Sequence, residues 1–252
     1  METDMDKKIG VFPFKVAPFS EDFSGHLSWG FLGNHLLRCA SSHAGTHGFG
    51  LEDVVRQHHA WVLSRLVVEM ENMPRSGETY TVETWVSNIY RQFTDRLFRI
   101  VDESGHIFGH AFSIWALIDS ESREALDFST LKNSAFTEAV LEKDIPISGP
   151  GRVRVKSKEP VYRVESHYSD LDINGHVNSI RYLQMVLDVF TKEIHDEGQQ
   201  VHRIEMAYCS ESYCGEALYF YREDGADGRS CVEIRKEDGQ VVVKAAVELR
   251  AC

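Results

Sequence analysis

The chain has 252 residues, 42% of them apolar and 26% charged, a composition that suits one large globular domain or two small ones with a sizeable core. A net charge of −12 excludes general nucleic-acid binding, which needs a dominant cationic field, and leaves room only for local basic patches. Membrane insertion and secretion are not expected: no apolar run nears the roughly 18 residues of a spanning helix, "METDMDKKIG" has no leader-like segment, and five cysteines without a C-x-x-C pair fit a reduced cytoplasm.

Along the chain, the first candidate helix is "LEDVVRQHHAWVLSRL" (51–66), of weak periodicity. Strands follow in "LVVEMENMPRSGETYTVETW" (66–85), and "RLFRIVDESGHIFGHAFSIWALID" (96–119) reads as a hairpin turning at "DESG". "YRQFTDRLFR" adds a cationic group, Arg91, Arg96 and Arg99. A stretch rich in Pro, Gly and basic residues, 142–160, divides the chain. Within it Arg152, Arg154, Lys156 and Lys158 cluster, with Arg163 beyond, as a solvated linker strand or a basic docking patch.

The second half opens with "YSDLDINGHVN", then a helix over 178–195 whose Ile180, Leu183, Val186, Leu187, Phe190 and Ile194 form one apolar stripe. Asn178 is placed to cap it, and Gly198 to follow its end. Strands are expected in "IEMAYCSESYCGEALYFYRE" (204–223), and a hairpin over 231–250 turns at Asp238-Gly239. Gly105 lies over Gly239 at an offset of 134, and Gly77 over Gly215 at 138. Similar offsets in the same order indicate an internal duplication, two α+β units each of a helix and antiparallel strands.

In "SDLDINGHVN" an extended backbone would put Asp172, Asn174 and His176 on one face, just ahead of a helix N-terminus. Free N–H groups there favour developing negative charge, so an acid, an amide and an imidazole beside them suit acyl hydrolysis. The same letters also suit a plain loop in which Asp170 or Asp172 braces a turn. His58-His59 and His106-x-x-x-His110 lack carboxylate partners at metal-like spacing, and no phosphate-binding glycine motif occurs, so neither a metal nor a cofactor is expected.

"YSDLDINGHVNSIRYLQ" resembles the W-x-D-L-D-x-N-x-H-V-N-N-x-x-Y signature of acyl-ACP thioesterases, with Tyr168 for Trp and Ser179 for the last Asn. "HAWVLSRLVVEMENMPRSGETYTVETWVS" and "DESGHIFGHAFSIWALIDSESREAL" are similar to the family's first half more diffusely. The resemblance implies two tandem hot-dog domains, here 1–145 and 160–252 joined by a linker at 146–159, with the catalytic residues in the second. "YCSESYCGE" matches the family's Y-R-R-E-C segment, putting Tyr208 on the Tyr, Glu211 on the Glu and Ser212 on the Cys, which removes a Cys–His mechanism.

By resemblance, Glu211 activates or orients water, Asn174 and His176 polarise the carbonyl and Asp172 holds the network. The backbone N–H groups of His176 and Val177 are a candidate oxyanion site, inferred from the helix start. The first half, read at "SSHAGTHGFGLEDV", shows no such cluster, so one site per chain is expected. Trp61, Leu66, Met70, Trp85 and Trp115 are candidates for an acyl pocket or plain core. The implied partner is acyl carrier protein bearing a fatty acyl chain; that carrier is acidic, so Arg91, Arg96, Arg152, Arg154, Lys156 and Lys158 are docking candidates. A homodimer is compatible with the family. Rival readings are an acyl-CoA thioesterase, a 3-hydroxyacyl-thioester dehydratase of the same fold, and a non-catalytic acyl-binding module.

Overall fold

In a computed structural model describing residues 8–130 and 134–251, the chain falls into two compact units. One holds the described residues up to Ser64 with Glu71–Ser148; the other holds Arg65–Met70 with the described residues from Gly149 on.

The first unit contains β1 (Gly10–Lys15), α1 (Trp29–Thr46), α2 (Leu51–Val55), the start of β2 (His59–Met70), β3 (Thr79–Ile89), β4 (Phe93–Val101), β5 (Ile107–Asp119) and α3 (Ser134–Glu138). Its antiparallel strands run in the order β1-β3-β4-β5. Ser28 caps α1, accepting from the Phe31 N–H, and the helix buries Leu32, Leu36, Cys39 and Ala40. The long helix is thus upstream of the expected one, since in 51–66 only Leu51–Val55 is helical and His59 begins a strand. Gly30, Gly33 and Gly45 dilute the helical signal of α1. In β2, Val62, Val67 and Val68 favour extended backbone. Trp85 proves to be core: it is fully buried with Leu97 and Leu141, and its indole N–H donates to the Lys143 carbonyl at 3.0 Å.

Arg96 lies inside this unit, 5% exposed, its guanidinium donating to His43 Nδ1 (3.1 Å) and Thr84 Oγ1 (3.2 Å). It cannot meet a docking partner, because its even register on β4 turns it away from solvent alongside buried Phe98 and Ile100. His43 Nε2 in turn donates to the Lys8 carbonyl at 3.1 Å. Burial, helped by the Arg96 charge, pushes this imidazole down to about 3.

The second unit contains β6 (Tyr162–Glu165), α4 (Ser179–Asp188), β7 (Gln200–Tyr208), β8 (Ala217–Asp224), β9 (Arg229–Lys236) and β10 (Val241–Arg250). Its strand order is β7-β10-β9-β8-β6, with Arg65–Glu69 of β2 pairing on the far side of β7. Ile180, Leu183, Val186 and Phe190 are buried, as are Ile204, Met206, Leu218, Phe220, Val232 and Ile234 of the sheet. Each such side chain contributes about 1.5–3 kcal/mol on leaving water. The duplication shows in backbone angles: Gly77 and Gly215 share φ +83°, and Gly105 and Gly239 share +86°.

On the strand positions that alternate with these core residues lies a charged layer. Arg203 pairs with Glu69 (2.7 Å) and Glu205 (3.0 Å), and Arg229 pairs with Glu205 (2.9 Å). Segment 149–158 crosses this layer as an extended strap. Glu205 accepts the Gly151 N–H (2.7 Å), Arg203 donates to the Gly149 carbonyl (3.2 Å), and Arg229 and Arg235 donate to the carbonyls of Arg152 and Val155 (both 3.3 Å). The strap's own cationic side chains face outward.

Two outcomes are expected. Glu205→Ala leaves Arg203 and Arg229 short of a buried partner and should cost on the order of 3 kcal/mol in denaturant unfolding. Below about 6.5 the unfolded chain takes up a proton that folded His43 refuses, so stability should fall as pH drops from about 6.5 toward about 3. The slope should reach at most about 1.4 kcal/mol per pH unit, and unfolding of His43→Gln, followed from pH 6 to 4, should show a flatter dependence.

Candidate functional site

The polar run is a closed loop rather than an extended strand. Tyr168–Asp170 makes a 3₁₀ turn, Leu171 and Val177 bridge, and residues 172–176 turn between them. Asp172 Oδ1 accepts the N–H groups of Asn174 (2.8 Å) and His176 (3.2 Å), and the Asp172 N–H donates to the His176 carbonyl (2.8 Å). Gly175 sits at φ +77°, where a side chain would be strained. Asp172, Asn174 and His176 therefore do not share a strand face, since the aspartate spends one oxygen bracing the turn. Asp170, buried, caps His167 N–H (2.7 Å) and pairs with Arg181 (2.7 Å). Asn178 caps α4 through the Ile180 N–H (2.7 Å).

The second segment reaches this loop through one backbone bond. The Val177 N–H donates to the Ser212 carbonyl at 2.9 Å, which sets the preceding residue, Glu211, beside the preceding residue, His176. His176 Nε2 and Glu211 Oε2 lie 3.4 Å apart, with the imidazole 22% and the carboxylate 38% exposed. The Tyr213 ring meets His176 edge-on at 5.1 Å and its hydroxyl is 3.5 Å from Glu211 Oε2. Tyr208 anchors the other side, donating to the Ser179 carbonyl at 3.0 Å. Ser212 is fully buried, and among the described residues neither its hydroxyl nor that of Tyr182 closes a hydrogen bond of ordinary geometry.

The expected oxyanion donors are already engaged. The Val177 N–H serves Ser212 and the His176 N–H serves Asp172, because the loop needs both to close. Asn174 projects at the exposed tip, and its carboxamide has no hydrogen-bond partner among the described residues. The apolar side chains of Ile173 and Tyr168 on the same loop are 96% and 89% exposed.

The first unit carries a copy of this loop that the sequence reading missed by looking too far downstream. In "SEDFSGHLS", Asp22 Oδ1 accepts the Ser24 N–H (2.8 Å), the Asp22 N–H donates to the His26 carbonyl (2.8 Å), and Gly25 has φ +77°. Glu21 and Leu27 bridge, and the Leu27 N–H donates to the Pro74 carbonyl at 2.8 Å, matching Val177 and Ser212. By this bond pattern Ser24 stands for Asn174, Met73 for Glu211 and Arg75 for Tyr213. The signal was present as D-x-S-G-H against D-x-N-G-H, 150 residues apart.

Of the rest of the cationic group in 91–99, Arg91 is exposed but pairs with Asp127 at 2.6 Å, and Arg99 pairs with Glu83 at 2.6 Å. Arg152, Arg154, Lys156 and Lys158 are exposed on alternate positions of the strap, without a carboxylate in ion-pair range among the described residues. Among the described residues no helix is long and apolar enough to cross a membrane.

The profile of the acyl-ACP thioesterase N-terminal domain matches residues 12–129, and that of the C-terminal domain matches 154–251. The crystal structure of an acyl-ACP thioesterase from Bacteroides thetaiotaomicron is 40% identical, with a TM-score of 0.91 over 98% of this chain and 100% of that one. The 12:0-ACP thioesterase from Umbellularia californica shares the fold at 20% identity, with a TM-score of 0.84 over 96% of this chain and 97% of that one. Among curated proteins, a chloroplastic palmitoyl-acyl carrier protein thioesterase of Cuphea hookeriana is 24% identical over 86% of this chain; the chain spans 56% of its length. Each unit is accordingly a hot-dog fold, and the chain belongs to the acyl-ACP thioesterase family.

Proposed function

We propose that this protein hydrolyses the thioester of fatty acyl-ACP, releasing free fatty acid and the carrier thiol, at the His176–Glu211 pair. The observation that carries the reading is the 3.4 Å approach of Glu211 to His176, for which the otherwise matching loop of the first unit offers only Met73. Glu211 takes a proton from water as the water oxygen bonds to the carbonyl carbon. The Asn174 carboxamide and His176 hold the resulting oxyanion. Collapse breaks the C–S bond, and the proton on Glu211 passes to the departing thiolate. Asp172 acts at one remove, by keeping the turn closed.

The carrier, an acidic protein, docks in this reading on Arg152, Arg154, Lys156 and Lys158. Extended backbone spaces alternate side chains by about 7 Å, giving a comb of like charge on one side of the strap. Support comes from the strap's attachment through backbone groups, which leaves these side chains uncommitted. The four cysteines among the described residues are free, which suits a reducing compartment, and we assign the reaction to the cytoplasm.

Thiol release from matched acyl-ACP and acyl-CoA panels tests the chemistry. Wild type should prefer acyl-ACP, and Glu211→Gln should lose on the order of 10²–10⁴-fold in kcat. Full activity in that variant would remove Glu211 from the mechanism, and a preference for acyl-CoA would change the carrier. For docking, Arg154→Glu with Lys156→Glu should raise KM for acyl-ACP roughly 10-fold at low salt, with kcat little changed and the difference shrinking as salt rises. An unchanged KM would move the docking surface elsewhere.

A further inference from the structure

Two loops with one backbone plan separate what holds the fold from what has been added to it. The anchors around Tyr213 recur in the first unit. The Tyr213 N–H donates to Glu216 Oε2 at 3.0 Å, and the Arg75 N–H donates to Glu78 Oε2 at 2.8 Å. The Gly215 N–H donates to the Ser166 carbonyl at 2.8 Å, and the Gly77 N–H to the Val16 carbonyl at 3.0 Å. The turn therefore forms equally well around an arginine and does not call for an aromatic ring. The tyrosine also has no burial to explain it, being 49% exposed.

What the ring does is touch both members of the reacting pair. Its hydroxyl and His176 Nε2 approach the same oxygen of Glu211, at 3.5 Å and 3.4 Å, while its ring edge meets the imidazole at an interplanar angle of 84°. Over the face of the ring lies the Lys236 ammonium, 5.7 Å from its centroid, which pairs with Glu216 at 2.9 Å. A glutamate 38% exposed has rotamer freedom to lose before it can aim a water, and a donor fixed on one oxygen removes part of that freedom. The unit without the glutamate lacks the tyrosine as well.

We propose that Tyr213 is a positioning residue for the Glu211–His176 pair, its hydroxyl orienting the carboxylate and its ring orienting the imidazole. This rests on Glu211 being the base.

Steady-state hydrolysis of acyl-ACP by wild type, Tyr213→Phe, Tyr213→Arg and Glu211→Gln tests it, with thermal unfolding of each. Tyr213→Phe should lower kcat roughly 2- to 5-fold, the worth in rate of one long and therefore weak hydrogen bond, with KM and the unfolding midpoint unchanged. Tyr213→Arg reproduces the first unit's residue on the same anchors. It should lose both contacts and fall further in kcat, again with an unchanged midpoint. If Tyr213→Phe and Tyr213→Arg keep wild-type kcat while Glu211→Gln is inactive, the positioning role is overturned and the base stands. A loss confined to KM overturns it too, assigning the ring to substrate contact. Full activity in Glu211→Gln would sink the base, and the role of Tyr213 with it.

Discussion

One backbone hydrogen bond, Val177 N–H to the Ser212 carbonyl, makes the site. Glu211 and His176 sit on segments with 34 residues between them, and neither segment's local conformation brings the other near. The bond fixes register, and register decides which side chains meet: a slip of one residue would turn Glu211 away. The same bond consumes a donor that the helix start would otherwise have offered to an oxyanion. The loop closes at the cost of one N–H, and in the proposed reaction the charge-stabilising work passes to side chains, with Asn174 foremost.

The first unit provides an internal control. Its loop has the same aspartate brace, the same glycine angle and the same link to the neighbouring segment, around Asp22, Gly25 and Leu27. Features common to both loops belong to the fold, so Asp172 and Gly175 are structural in origin. The differences gather around His176: Asn174 for serine, Glu211 for methionine, Tyr213 for arginine. A duplicated unit can keep its scaffold under packing constraints alone, because the hydrogen bonds that close the turn are independent of the groups that would do chemistry.

The strap over the second unit's charged layer solves a different problem. Arg203 and Glu205 are nearly buried, and a buried ion pair needs its remaining hydrogen-bonding capacity filled. Backbone groups of Gly149 and Gly151 fill it. A segment bound through its backbone leaves alternate side chains outward, so structural need on one side produces an exposed cationic row on the other, on a protein that is acidic as a whole.

By itself the sequence determined what is local. The Asn178 cap, the apolar stripe of α4, the turns at Gly105 and Gly239 and the D-L-D-x-N-x-H run follow from side-chain chemistry within a few residues. The duplication was legible as repeated glycine spacing, because a left-handed turn tolerates few other residues. Tertiary structure decided the rest. It set a glycine-bearing stretch as the long helix of the first unit, since burying Leu32 and Leu36 outweighs weak propensity. It turned Arg96 inward onto His43 and Thr84 while leaving Arg154 and Lys156 outside. It also allotted the loop's N–H groups to Asp172 and Ser212 and brought Tyr213 against His176. Each of these depends on strand register between distant segments, and a local pattern of polar and apolar residues carries no information about which distant partner a backbone group will find.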